Sequence, residues 1–235
     1  MNSNALIDLD PLDHQTLGER AYARLADLLI SGALAPGEKL SLRAVADALG
    51  VSIMPIRGAV SRLVANHALE VAPNRAVRVP IMSAERFQDL ARVRLQIEGF
   101  AAEQAALLRT PDDLAAITSA EACLRTACLA AQPNRPQVIE LNKAFHFVVY
   151  QAAQSATLLE IIRALWLKVG PVLNLGPERL RTQTVACHTK LLKAIKAKDA
   201  LLARMALQSD VEGAAKFILA QGRLPSNSSQ ETLRN

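Results

Sequence analysis

The sequence predicts a mainly α-helical chain in two parts: three helices with one β-hairpin, then an all-helical bundle. Three observations predict it. Of the 235 residues, 51% are hydrophobic but only 3% aromatic, with Ala and Leu throughout, a composition of closely packed helices rather than a β-sandwich. Only 10 glycines argue against a loop-rich or dinucleotide-binding α/β architecture. Apolar positions recur at three- and four-residue steps over most of the chain, and period two is confined to the stretch from Leu69 to Ile81. A chain of this length holds one large or two modest domains with ample core.

Composition also narrows the setting. Cys123, Cys128 and Cys187 are odd in number and lack Cys-x-x-Cys spacing, so they read as buried thiols in a reducing cytosol. No basic-plus-apolar leader and no run of 18 apolar residues occurs, so neither export nor membrane spanning is expected. The net charge of +5 is not spread evenly. Residues 1–80 carry eight basic and eight acidic side chains, whereas residues 41–80 carry five arginines against Asp47 and Glu70. That local excess suits phosphate contact; the overall pI of about 9.4 does not by itself.

Residues 1–13 are polar and acidic without helical period, and a loose arm is expected. From Thr16 to Ser31, Leu17, Ala21, Leu25, Leu28 and Leu29 mark a helix, with Thr16 and Glu19 forming a capping box and Gly32 ending it. Ala35-Pro36-Gly37-Glu38 is a turn into the organising stretch, Leu40 to Leu63. There Val45, Ala46 and Leu49 make the buried face of one short helix, Gly50 stops it at positive φ, and Val51 plugs the turn. Ser52 caps the next helix, Pro55 lies in its first turn, and Ile56, Val60 and Leu63 return to the same core. A small residue at the crossing (Ala46) with this spacing fits a helix-turn-helix, whose second helix enters the DNA major groove. Leu69, Val71, Val77, Val79 and Ile81 then alternate around Pro73-Asn74-Arg75, a hairpin of the kind that forms a wing. Arg75 at its tip and Arg78 on its flank are placed for phosphate or the minor groove, or are solvated charges.

The stretch SGALAPGEKLSLRAVADALGVSIMPIRGAVSRLVANHALEVAPNRAVRV resembles the N-terminal domain of the GntR family of bacterial transcription regulators. The resemblance covers about 65 residues. It rests on the Gly-x-Leu-x-Pro-Gly turn, the Arg opening the second helix, Leu-Gly-Val-Ser, Pro-x-Arg and the wing. It implies that Arg43, Ser52, Ile53, Met54, Pro55 and Arg57 face DNA. Two positions depart from the family pattern: Ile53 stands where Arg is usual and Ala76 where Gly is usual. A thymine methyl is a suitable partner for Ile53.

The winged unit is expected over 14–81, a helical domain over 83–220 and a disordered tail over 221–235. Helices are expected from Ser83 to Leu108 and over 111–131, 136–155, 156–170, 178–197 and 199–220, with GPVLNLGP (170–177) as a break. Asn142 and His146 share one helix face. His188 and Asp210 lie about ten and eleven residues from the Lys198-Asp199 turn, so at ~1.5 Å per residue they reach the same level of an antiparallel pair. Two His, one Asp and one Asn can hold a divalent cation, or line a polar cavity without one. The chain over 85–220 is similar to the FCD effector domain of FadR-type GntR regulators, through Arg94-x-x-x-Glu98, Phe145-His146 and the run from His188 to Asp210. That resemblance implies a metal, Zn²⁺ or Ni²⁺, beside a small organic acid; the family's usual Asp and third His are here Asn142 and Asp210. Arg94 can meet an effector carboxylate or pair with Glu98. Phe145, Phe147 and Tyr150 line the pocket or fill core.

Together these readings imply a cytoplasmic, nucleoid-associated homodimer that binds palindromic double-stranded DNA and answers to a small carboxylate, a repressor of a catabolic operon. The rival is a metal-dependent hydrolase using His146, His188 and Asp210, for which no nucleophile pattern is found. A third reading is a nucleoid architectural protein without effector.

Overall fold

The computed structural model describes residues 16–173 and 181–226. The expected arm and the end of the tail lie outside them. The N-terminal head is built from helices α1 (Leu17–Ile30), α2 (Leu42–Leu49) and α3 (Ile53–Ala65) with strands β1 (Lys39–Leu40), β2 (Glu70–Val71) and β3 (Val77–Arg78). The Thr16–Glu19 capping box starts α1, Ser41 accepts from the Ala44 N–H to start α2, and Gly50 ends α2 at φ +64. Ala21, Leu25 and Leu29 of α1 pack on Ala46, Ile56, Val60 and Leu63.

Several details of the head differ from the sequence reading. Of the three residues expected to bury α2, only Ala46 is buried: Val45 is half-buried and Leu49 is 38% exposed. An eight-residue helix reaches the core with its middle turn, and Leu49 at its end passes the edge of α1. Ser52 holds the N-cap backbone conformation but makes no side-chain cap bond. Strand β1 has two residues, too few to show a period. It pairs with β3, giving the antiparallel order β1-β3-β2. Val71 on edge strand β2 is exposed. The left-handed residue of the wing turn is Arg75, at φ +62, so Ala76 needs no glycine-like backbone.

The second part comprises α4 (Ala84–Leu108), α5 (Pro111–Leu129), α6 (Arg135–Gln151), α7 (Ala156–Leu173), α8 (Arg181–Ala197) and α9 (Ala200–Ala220). Helix α4 runs antiparallel to α9, joined by Arg204 to Glu103 at 3.0 Å and by the Gln208 amide donating to the Leu95 carbonyl. Arg109 donates to the carbonyls of Ile195 and Lys196, satisfying the end of α8 from a distant segment. The break expected over 170–177 does not begin at 170: α7 continues through Gly170 and Pro171 to Leu173, and 174–177 lie outside the described residues. Pro171 has no N–H to give the Leu167 carbonyl one turn back, so the helix runs on with one fewer bond and stops two residues later. Residues 221–226 belong to the bundle rather than to a disordered tail. The Ala84 N–H donates to the Pro225 carbonyl, and Leu224 packs on the cluster containing Phe87 and Val169.

The head seats on the bundle through α1 and α7. Gly170 is the point of closest approach. A Cβ there would overlap the Leu29 carbonyl oxygen and stand 2.7 Å from that of Ile30.

Candidate metal centre and nucleic-acid interface

Three helices of the bundle bring the predicted polar residues together. His146 projects from α6, His188 from α8 and Asp210 from α9, and one ligand atom of each lies within 4.8 Å of the others. His146 Nε2 and His188 Nε2 each stand 3.3 Å from Asp210 Oδ2. Both imidazoles are buried, and the Phe145 ring packs on His188 with centroids 4.5 Å apart. Despite the short approach to Asp210, neither ring nitrogen of His188 makes a hydrogen bond, and its Nδ1 faces no partner. A buried polar atom without a partner costs stability unless something binds it. Burial would raise the Asp210 carboxyl, but His188 and His146 facing it hold it far below the usual carboxylate range. Burial pushes His146 below the ordinary imidazole value, against the pull of Asp210.

This donor set fits a divalent cation. Ligand atoms ~2.0–2.2 Å from a common metal stand roughly 3.0–3.6 Å apart, which brackets the observed 3.3 Å separations. Two nitrogens and one carboxylate oxygen suit Zn²⁺ and Ni²⁺ better than Ca²⁺ or Mg²⁺. Asn142 sits half-buried one turn before His146, and no hydrogen bond joins it to the other three.

A second layer lies behind His146. Arg94 of α4 grips Glu98 with Nε 2.6 Å from Oε1 and Nη2 3.1 Å from Oε2, so the pairing reading of Arg94 is the one observed. Both side chains are buried. The Tyr150 hydroxyl donates to Glu98 Oε2 at 2.5 Å and lies 3.0 Å from His146 Nδ1. Burial and Glu98 push Tyr150 well above the ordinary phenol value. The Arg94 guanidinium also stands over Trp166 of α7, at 5.3 Å, and the Trp166 Nε1–H is buried without an acceptor. Tyr150, four residues after His146, had a signal in the sequence, namely the shared helix face. Trp166 had none, since a tryptophan at a core period reads as core.

In the head, Arg43 opens α2, Ser52 to Pro55 run from the turn into α3, and Arg57 follows on α3. Ile53 and Met54 are 43% and 67% exposed, large apolar side chains left uncovered at the start of a helix. Arg43, Arg57 and Arg75 are exposed and form no ion pair among the described residues. The other two arginines of the local excess are engaged. Arg62 lies 4.1 Å from the centre of the Tyr22 ring. Arg78, read from sequence as placed for phosphate, pairs with Glu70 at 2.6 Å, because the register sets them directly opposite.

Comparison with known proteins assigns the chain. Residues 17–79 match the family described as bacterial regulatory proteins, gntR family, and residues 89–213 match the FCD domain. The chain is 34% identical over 193 residues to the HTH-type transcriptional regulator McbR of Escherichia coli (strain K12), covering 80% of this chain and 86% of that protein. It is 26% identical over 210 residues to BphR of Paraburkholderia xenovorans (strain LB400), an uncharacterized HTH-type transcriptional regulator, covering 87% and 81%. The solved structure of E. coli McbR/YncC aligns with a TM-score of 0.82 at 31% identity, over 89% of this chain and 100% of that one. These relatives are transcription regulators and not enzymes, which sets aside the hydrolase reading of the His/His/Asp group. The chain belongs to the gntR family of bacterial regulatory proteins and carries an FCD domain behind its DNA-binding head.

Proposed function

We propose that this DNA-binding transcription regulator is a homodimer whose FCD domain binds a small organic acid beside a divalent cation, Zn²⁺ or Ni²⁺. His146, His188 and Asp210 hold the cation, with Asn142 as a further oxygen donor on the His146 face. The observation that carries this is His188, buried with both ring nitrogens lacking hydrogen bonds while Asp210 and His146 converge on it. A cation coordinated there offers open positions to a carboxylate. Arg94 contributes mainly by holding Glu98, and Nη1 is its nitrogen left for an effector carboxylate.

The operator is read by Arg43, Ser52, Ile53, Met54, Pro55 and Arg57, with Arg75 reaching phosphate or the minor groove. Two heads on a palindrome double these contacts. The effector changes DNA affinity by binding one placement of the heads more tightly than another. Repression of a catabolic operon, relieved by the acid, is the sense of regulation that the family resemblance implies.

The test is a thermal-shift titration of EDTA-stripped protein with Zn²⁺ and Ni²⁺, followed by a panel of small organic acids. A metal that binds only the folded state raises Tm as its concentration passes Kd. The expected result is a rise that His146→Ala and His188→Ala each abolish. No rise with any divalent cation would retire the metal and leave the pocket to be sought around Arg94.

A further inference from the structure

The Arg94–Glu98–Tyr150 chain ends on a ring nitrogen of His146, and its hydrogen-bond directions can be worked out. Both oxygens of Glu98 accept from Arg94, so Glu98 faces Tyr150 as an acceptor. Tyr150 has a single hydroxyl proton, and the 2.5 Å separation places that proton toward Glu98. The Tyr150 oxygen is therefore an acceptor toward His146 Nδ1, 3.0 Å away. His146 must donate.

We propose that Arg94, Glu98 and Tyr150 are positioning residues that hold His146 as the Nδ1–H tautomer, so that Nε2 presents its lone pair to the cation shared with His188 and Asp210. This rests on the metal reading above for its purpose, but not for its direction. A neutral His146 so held brings an Nε2 lone pair to 3.3 Å from Asp210 Oδ2, two acceptors facing each other. They attract only with a cation or a proton between them. A cation held by Nε2, Asp210 and His188, whose ligand atoms already converge, satisfies all three at once. A metal-bound histidine ordinarily donates its other N–H to an oxygen that is itself fixed, and here the fixing runs through three residues on two helices, α6 and α4. The same chain explains why a guanidinium is buried in the bundle: its two N–H donors fix both oxygens of Glu98.

The decisive measurement is the tautomer of His146 in metal-free protein, read from long-range ¹H–¹⁵N spectra of ¹⁵N-histidine-labelled protein. The chain has four histidines, and the His146 signals are those missing from His146→Ala. The Nδ1–H form is expected to dominate in wild type. A dominant Nε2–H form would overturn the proposal, whatever any variant does. In Tyr150→Phe the Nδ1–H share should fall and Zn²⁺ or Ni²⁺ affinity should drop ~10–100-fold, with helix content by circular dichroism unchanged. A folded Tyr150→Phe protein with wild-type affinity and tautomer would also overturn it. If wild type binds no metal, the metal reading fails alone, and the tautomer still decides whether the relay exists.

Discussion

Ile53 stands at the first position of α3, where the family pattern has Arg, and it is exposed. An aliphatic side chain there can discriminate only by contact with a thymine methyl, a weaker reader than a bidentate arginine. Ile53→Ala is therefore expected to flatten preference at one base pair of each half-site, by about threefold to tenfold in a randomised-site binding assay. Unchanged preference at every position would remove the contact. Arg75→Ala, by contrast, should weaken all sequences alike and lower the slope of log affinity against log salt by about 1. A second residue-scale prediction concerns Asp113, whose carboxyl is held below its usual 3.8 by the Thr110 N–H and hydroxyl, with Gln154 adding a bond. Its folded pKa is depressed, so its contribution is complete above the unfolded value and is lost as pH falls through the lowered one. Asp113→Asn should destabilise the protein to urea by about 1 kcal/mol or less at pH 7. The gap to wild type should close at pH values below the ordinary carboxylate range. At this scale the sequence was legible where spacing is rigid: four residues placed Asn142 and His146 on one face, and equal distances from one turn matched His188 with Asp210. It was silent where identity does not separate roles, as for Trp166, or where a partner comes from another strand, as for Arg78 and Glu70.

Among the elements, α7 is the one that touches both halves of the molecule. Trp166 packs beside His146, with centroids 5.5 Å apart, and one turn later Gly170 lies against the end of α1. The backbone of α1 occupies the space a side chain would need, so Gly170→Ala must push the head away or distort α7. Overpacking of this kind costs about 1–3 kcal/mol. Gly170→Ala should accordingly lower Tm and speed proteolytic cleavage between the head and the bundle, near residues 80–83. Trp166 is the chain's single tryptophan, so its fluorescence reports whether the bundle itself stays packed. Cleavage and Tm equal to wild type would show that the contact carries no load. Sequence reading ended the helix at 170 because Gly followed by Pro usually marks a break. The glycine instead answers to a neighbour 140 residues earlier in the chain, which no local pattern records. Helix starts were more legible where the whole cap lies within one segment, as with Thr16 and Glu19, although Ser52 takes the cap position without its side-chain bond.

For the whole molecule, the proposed homodimer needs a surface that would hold two heads at one operator. Val93, Phe100 and Leu107 recur every seven residues along α4 and so lie on one stripe, and all three are exposed. On α9, Leu201 and Met205 are also exposed, next in helical rotation to Arg204 and Gln208, which bind α4. The two stripes therefore border each other on the outer side of the antiparallel pair. Single exposed apolar residues need no explanation, but a continuous patch across two helices does. A second copy is the occupant that the proposed function calls for, since a two-fold face would pair with itself and set two recognition helices on successive major grooves, ~34 Å apart. Phe100→Lys places a charge at the middle of that face without touching the His146 centre. It should convert dimer to monomer in sedimentation velocity at micromolar concentration and reduce operator affinity at least tenfold. Metal-induced Tm shifts should remain, because the donors all lie within one chain. A variant that stays dimeric would move the interface elsewhere. A variant that becomes monomeric yet binds the full palindrome as tightly as wild type would mean that DNA, rather than α4 and α9, pairs the heads.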